Sequence, residues 1–434
     1  MTTPDVQQPW WKGVPRYAWI VLIISSLGWL FDTMDQNLFN MVRQPSMMAL
    51  LGPDATKQEA TRLGGYMTST FLIGWAVGGF LFGAIGDKFG RAKTMAATIL
   101  IYAVFTGLNG FVTNPLQYGF CRFMTALGVG GEFAAGAALV AEVFPARSRA
   151  MALGVLQALS AVGNAMAAVI TLFLSSIGPD YWRTAFFVGA FPAVLVFVIR
   201  RVVKEPETWA ESKAKSEREG LSTGSILALF KDPTLRRNTI AGTLLAIAGV
   251  GALWGVGFWL MDLVGFVSPL KGKELAHFKS YLSMTQQAGA FIGMLAFTAI
   301  SERVGRRPAL IGAFILAFFA IQGTFRFLDG TSTSYIWAFI LGLFTLAPFA
   351  AYAVYFPELF PTRLRATGIG FCYNCARIIA AAAPLVLGQL AKSMETGVPG
   401  SGFRAAACVV AFIYVVGFVG IALAPETRGK PLPE

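Results

Sequence analysis

The sequence predicts an all-α membrane protein: twelve transmembrane helices in two pseudo-symmetric six-helix bundles. Three observations predict it. Of the 434 residues, 55% are hydrophobic and only 13% are charged, which excludes an ordinary soluble domain. Apolar stretches of spanning length recur along the whole chain, at a mean hydropathy of +0.61. The chain also repeats itself once, weakly. Gly86-Asp87-Lys88-Phe89-Gly90-Arg91 is answered 215 residues later by Ser301-Glu302-Arg303-Val304-Gly305-Arg306. The run from Glu142 through Phe144-Pro145 to Ala150 returns at Glu358 to Ala366, offset by 216, and Pro206-Glu207-Thr208 returns as Pro425-Glu426-Thr427, offset by 219. Two like-folded halves in parallel order place a substrate site between them near the bilayer midplane, and so point to a transporter.

Taken in order, the spans read at 17–43, 63–86, 94–112, 116–142, 150–176, 182–204, 237–268, 278–300, 308–328, 333–356, 366–393 and 400–424. Residues 1–16 are polar and carry Lys12 and Arg16. The span that follows is too long for a signal-peptide core and lacks a cleavage pattern, so it is expected to be retained. Gly74, Gly78, Gly79 and Gly83 in the second span let helix backbones approach closely. The long polar stretch 205–236 divides the chain into bundles at 1–204 and 237–434, and Thr223 to Phe230 reads as a short amphipathic helix on the cytoplasmic face. A Walker A pattern is absent, so ATP is not expected to drive the protein.

Lys and Arg give the orientation. With a cytoplasmic amino terminus, 23 of the 35 basic residues fall in cytoplasmic segments and 10 in external ones, leaving Arg122 and Arg377 inside spans. This obeys the positive-inside rule, predicts a multi-pass cell-membrane protein with both termini cytoplasmic, and accounts for the net charge of +12 without nucleic acid. His277 falls in an external loop, and Cys121, Cys372, Cys375 and Cys408 sit in or beside spans as packed thiols. The sequence offers no metal cluster and no nucleophile–base set, so neither a cofactor nor enzymatic activity is expected.

These features resemble the major facilitator superfamily, whose motif between spans 2 and 3 appears here as Gly83, Asp87, Lys88, Gly90, Arg91 and Lys93, with Ala92 where a second basic residue is usual. The second copy has Thr298 for the leading glycine and Glu302 for the aspartate, followed by Arg306. The resemblance implies a gating role for Asp87, Arg91, Glu302 and Arg306, and a protein that works as a monomer. Within that superfamily the chain is most similar to proton-coupled sialate and monocarboxylate transporters and their aromatic-acid relatives. The residues that carry this are Phe31-Asp32-Thr33-Met34-Asp35, Arg122 with Gly128-Val129-Gly130-Gly131-Glu132-Phe133, and Pro357 to Gly368 running into Tyr373-Asn374 and Arg377. Thr33-Met34, where aromatic-acid transporters usually have Gly-Tyr, and Ala126, where a glycine is common, depart from the pattern.

Asp32, Asp35, Arg122, Glu132 and Arg377 lie well inside spans, where each costs about 2.5–3.5 kcal/mol and needs a partner or a wet cavity. At 1.5 Å per residue, Asp32 and Asp35 lie roughly 22 and 27 Å above the cytoplasmic end of their span, and Arg122 roughly 9 Å below the external end of its own. All three therefore meet in the outer part of the bilayer, with the two aspartates on one helix face. Either aspartate is expected to exchange a proton and swap its ion pair with Arg122; a permanent, purely structural pair is the alternative. Arg377, at mid-depth in a wet crevice, suits bidentate capture of a substrate carboxylate. The alternative is a gate pair with Glu132. Asn374, Tyr373, Gln157 and Tyr355 are further candidates for the cavity wall, with helix packing as the competing role. Glu142, Arg147, Arg149, Glu358, Arg363 and Arg365 lie at cytoplasmic helix ends as gate ion pairs or interfacial anchors.

The function these residues predict is proton-coupled uptake of a small organic anion, a monocarboxylate or an acidic sugar, by alternating access. A sugar:proton symporter and a non-transporting substrate sensor on the same fold are the alternatives. The first is opposed by cationic Arg377, the second by intact proton-site candidates.

Overall fold

Apolar segments of spanning length satisfy their own backbone hydrogen bonds as helices. Helices occupy all twelve predicted positions in the computed structural model, which describes residues 9–175, 178, 180–398 and 400–433. The first half holds α1 (Arg16–Leu51), α2 (Lys57–Phe89), α3 (Arg91–Leu108), α4 (Pro115–Val143), α5 (Ala146–Leu174), α6 (Tyr181–Gly189) and α7 (Ala193–Val202). Two short helices follow, α8 (Glu207–Arg218) and α9 (Ala228–Lys231). The second half holds α10 (Pro233–Val267), α11 (Gly272–Val304), α12 (Arg306–Phe327), α13 (Ser334–Thr345), α14 (Ala347–Leu359), α15 (Arg365–Ser393), α16 (Ser401–Val410) and α17 (Tyr414–Leu423). Among the described residues there is no strand, and eight helices or helix pairs are long and apolar enough to cross a membrane. The expected end of the fifth span at 176 and the terminal residues 1–8 and 434 lie outside the described residues.

Three spans are interrupted, for local reasons. Pro192 lies between α6 and α7, Pro348 opens α14, and the 3-10 turn Ala411–Ile413 joins α16 to α17. Helix starts carry their own signals. Asn114 and Asp232 each accept a hydrogen bond from the backbone N–H three residues on, at 2.9 Å, and each precedes a proline at the first helical position. The linker differs from expectation. Its helix is α8, with Glu207 in the first turn and Lys215 and Arg218 in the last, matching the helix dipole. The segment expected over 223–230 reduces to the single turn α9, because Gly220 and Gly224 take positive φ values of 64° and 66° just ahead of it.

The internal repeat extends into the packing. A Cβ on Gly74 would sit 2.5 Å from the Phe123 carbonyl oxygen, and one on Gly78 would sit 2.0 Å from that of Leu127, which sets the α2–α4 crossing. In the second half, a Cβ on Gly289 would lie 2.2 Å from the Phe339 carbonyl oxygen of α13, and one on Gly293 would lie 1.9 Å from that of Leu343. Backbone contact of this kind replaces the hydrophobic drive that lipid removes.

The closest packing between the halves is that of α2 along α15 and of α5 along α11. On the first crossing, a Cβ on Gly83 would lie 2.9 Å from the Ala366 carbonyl oxygen. On the second, Thr298 stands where a glycine would be, and a Cβ on Gly154 across the seam would lie 2.3 Å from Thr298 Oγ1. The missing glycine of the second motif is thus supplied by its neighbour.

Gly90 and Gly305 turn the chain into α3 and α12 with φ of 115° and 103°, and a carboxylate caps each new helix. Glu205 accepts from the backbone N–H groups of Arg91 (2.7 Å), Ala92 (3.2 Å) and Lys93 (3.1 Å). Glu426 accepts from those of Arg306 and Arg307, both at 3.0 Å. The sequence repeat aligns Glu426 with Glu207, but its structural counterpart is Glu205, two residues earlier. Partial burial opposes the charge of Glu426, yet the backbone donors of Arg306 and Arg307 hold its carboxyl below the usual value.

Two outcomes follow from this packing. Gly78→Ala should lower the detergent unfolding temperature, by the equivalent of about 1–3 kcal/mol or more for overpacking. Gly65→Ala, with open space around it, should raise it or leave it unchanged. For Glu426, a carboxyl lowered by folding stabilises above its unfolded value of 4.5 and loses that contribution as pH falls. The thermal-stability gap between wild type and Glu426→Gln should therefore be widest at neutral pH and close on acidification.

Candidate functional site

Four buried charges of the first half, Asp32, Asp35, Arg122 and Glu132, form one closed pair and one open pair. Asp35 on α1 is fully buried, as is its partner on α4: Arg122 Nη1 reaches Oδ2 at 3.3 Å. Thr106 on α3 donates to Asp35 Oδ1 at 2.9 Å. The Arg122 guanidinium lies 4.7 Å from the Phe186 ring centroid and donates to Thr125 at 3.3 Å. Asp32, one turn away, does not join this pair. Its carboxyl neighbours that of Glu132 on α4, and all four oxygens are buried without a hydrogen-bond donor among the described residues. Gly28, four residues before Asp32, makes the room, since a Cβ there would lie 2.3 Å from Glu132 Oε1.

Arg377 departs from the wet crevice expected of it. It is 3% exposed, lying 4.0 Å from the Trp75 ring centroid on α2 and 4.5 Å from that of Tyr373 on its own helix. Its Nη1 donates to Asn374 Oδ1 at 2.6 Å, while Nε has no protein partner. The reason for the burial is the closeness of α2 to α15. Asn374 packs so tightly on Gly79 that a Cβ there would fall 1.7 Å from its Nδ2, and this amide also donates to the Gly370 carbonyl at 2.7 Å. The expected alternative, an Arg377–Glu132 ion pair, is not formed. Glu132 faces Asp32 instead, and Asp32 is the carboxylate within Coulombic reach of the guanidinium.

The site thus gathers Asp32 and Glu132 from the first half with Tyr373, Asn374 and Arg377 from the second, roofed by Trp75. Tyr373 also faces Phe133 across the seam at 5.2 Å. Trp75 was not singled out from the sequence; only the partner helix shows which tryptophan the guanidinium meets. Gln157 is buried on α5 with its Oε1 unpartnered. Tyr355 belongs elsewhere: its hydroxyl donates to the Pro425 carbonyl beside Glu426 and Glu358, because α14 has by then reached the face on which Lys12 and Pro433 lie.

On that face one ion-pair network crosses between the halves. Glu142 lies between Arg91 (2.8 Å) and Arg365 (2.6 Å), and Arg91 also pairs with Asp87 at 3.1 Å. Asp87 accepts from Ala366 N (3.2 Å), Thr367 N (2.8 Å) and Thr367 Oγ1 (2.7 Å) at the start of α15, and Arg91 donates to the Thr362 carbonyl at 2.8 Å. The second copy stays inside its own half: Arg306 pairs with Glu302 at 2.5 Å and with Glu358 at 2.8 Å. Three arginines expected as gate ion pairs or interfacial anchors bond to backbone carbonyls. Arg147 donates to Lys12, Arg149 to Ala141 in the last turn of α4 at 2.7 Å, and Arg363 to Ser222 in the linker at 3.0 Å. Each lies at a helix or linker end where free carbonyls are closer than any carboxylate.

Comparison with known proteins agrees with this architecture. The family model described as Major Facilitator Superfamily matches residues 25–285, and that described as Sugar (and other) transporter matches 268–434. A "Probable 4-methylmuconolactone transporter" of Cupriavidus pinatubonensis is 32% identical over 93% of this chain and 89% of its own length. The "Sialic acid transporter NanX" of Escherichia coli is 29% identical over 94% of this chain and 96% of its own. Among solved structures, the proton:xylose symporter XylE bound to 6-bromo-6-deoxy-D-glucose superposes with a TM-score of 0.76 at 18% identity, covering 96% of this chain and 98% of that one, a likeness of fold. The chain belongs to the major facilitator superfamily, as a multi-pass membrane transporter and not an enzyme.

Proposed function

We propose that this transporter takes up a small organic anion, a monocarboxylate or an acidic sugar, together with protons by alternating access. The observation that carries this is Arg377. Its guanidinium stands at the seam of the two halves, faces Trp75 and Tyr373, and has no carboxylate within ion-pair distance among the described residues. A planar cation oriented by Asn374 matches a carboxylate, and the flanking rings accept a flat or apolar body behind it. Relatives named for a muconolactone and for sialic acid support an acidic or oxygen-rich cargo. The match of residues 268–434 to the sugar-transporter model favours a second reading, a neutral-sugar symporter. That reading leaves a buried cation without an anionic ligand.

With both termini cytoplasmic in a cell membrane, as the basic residues indicate, the Asp87–Arg91–Glu142–Arg365 network is the cytoplasmic gate. It must open for release. The monomer has both half-sites and needs no second copy. One of the two aspartates of α1 is the coupling element, which separates this reading from a substrate sensor.

Three measurements test it. Proteoliposomes under an inward proton gradient should accumulate a carboxylate and not its neutral amide; a sensor would accumulate neither. Arg377→Lys should weaken the apparent affinity for the carboxylate by about tenfold or more, and unchanged affinity would contradict the assignment. For the gate, Asp87→Ala should speed hydrogen exchange of the Ala366 and Thr367 amides, which now donate to Asp87; an unchanged rate would remove Asp87 from the gate.

A further inference from the structure

The two aspartates of α1 have opposite environments. Asp35 has a cation and a hydroxyl donor, so its charge is matched within the first half. Asp32 and Glu132 have each other: four buried acceptor oxygens turned together, with no donor among the described residues. The other charged or titratable groups around them are few. Asp35 lies one turn along α1, Tyr102 on α3 presents a buried hydroxyl without a protein partner, and Arg377 on α15 is committed to Asn374 and two rings. Two ionised carboxyls in one buried site repel, and neither can donate to the other. A single proton turns one into a donor, and an O–H···O⁻ bond then joins the pair. The Glu132 side chain is placed for this by Gly28, whose missing Cβ leaves the space that Oε1 uses.

We infer that Asp32 and Glu132 together hold the transported proton, as a carboxyl–carboxylate pair, and that Glu132 is a proton partner and not a substrate ligand. The inference rests on the proposed uptake of an organic anion, and it explains how the two cargoes are linked. With Arg377 charged, the unprotonated pair leaves the cluster at a net charge of −1, and the protonated pair leaves it neutral. A carboxylate arriving at Arg377 adds one negative charge in either case, so it binds more tightly when the proton is present. By reciprocity, the bound anion tightens the pair's hold on the proton. The step makes and breaks only O–H bonds: the proton comes from water on the side the site faces and returns to water on the other. The Asp35–Arg122 pair, already balanced, stays closed and anchors α1 to α4.

The test uses full-length protein and benzoate as the probe, with sialate as a second, bulkier carboxylate. Calorimetry in two buffers of different ionisation enthalpy should find about one proton taken up per carboxylate bound by wild type. Binding should correspondingly weaken by up to about tenfold per pH unit on the alkaline side. In Glu132→Gln the amide donates permanently to Asp32, so proton uptake on binding should vanish and the affinity should become flat with pH. Asp32→Asn should do the same, and it serves if the first variant fails to fold. If wild type binds neither carboxylate, the organic-anion reading falls and takes the pair with it. If wild type binds and the folded variants still take up the proton with an unchanged pH profile, the pair alone is overturned.

Discussion

A charge taken out of water must find an opposite charge or a full set of hydrogen bonds, and this interior is organised by how completely each charge does so. Asp35 and Arg122 satisfy one another inside the first half. Glu142 pairs with two arginines at once and ties the halves together while doing so. Arg377, Asp32 and Glu132 are left incomplete, and all three sit where the halves meet. Removing one partner from a closed buried pair costs about 3–5 kcal/mol, so the closed pairs hold the architecture. The incomplete groups are the ones to which the proposed function assigns the cargo.

The two halves share a plan and depart from it where function requires. Both use glycine to seat carbonyls of the neighbouring helix, and both cap the helix after the charged turn with a glutamate. Only the first half sends its acidic turn residue across the seam. Asp87 bonds to the first amides of α15, whereas Glu302 and Glu358 remain with Arg306. The bonds that Asp87, Arg91 and Glu142 make across the seam have no counterpart around Glu302 and Arg306 among the described residues. Tertiary ties from the linker, through Ser222 to Arg363, add to the same face.

Much of the fold was legible because membrane spans are written in composition. All twelve positions followed from apolar length, and the breaks at Pro192 and Pro348 fall inside predicted spans without displacing them. The site was legible in its members more than in its pairings. Depth along a helix, counted at 1.5 Å per residue, brought Asp32, Asp35 and Arg122 to one level. It carries no information about direction around the helix, so it could not choose Asp35 for Arg122, nor show that Glu132 turns to Asp32 and not to Arg377. Trp75 escaped for the same reason. Tyr355 was misplaced because its aromatic ring and span position resemble a cavity lining, while its hydroxyl is claimed by a carbonyl of the terminal segment. Glu205 was hidden by a repeat whose letters align two residues away from its function.

The proposed function stands on one contact: a carboxylate received by the Arg377 guanidinium between Trp75 and Tyr373. The most direct measurement is an experimental structure of the protein with a brominated aryl carboxylate, located by the anomalous signal of bromine. The carboxylate is expected in hydrogen-bond range of Arg377, with the ring between the two halves. Bromine density confined to other surfaces, or a neutral amide occupying the same place equally well, would contradict it.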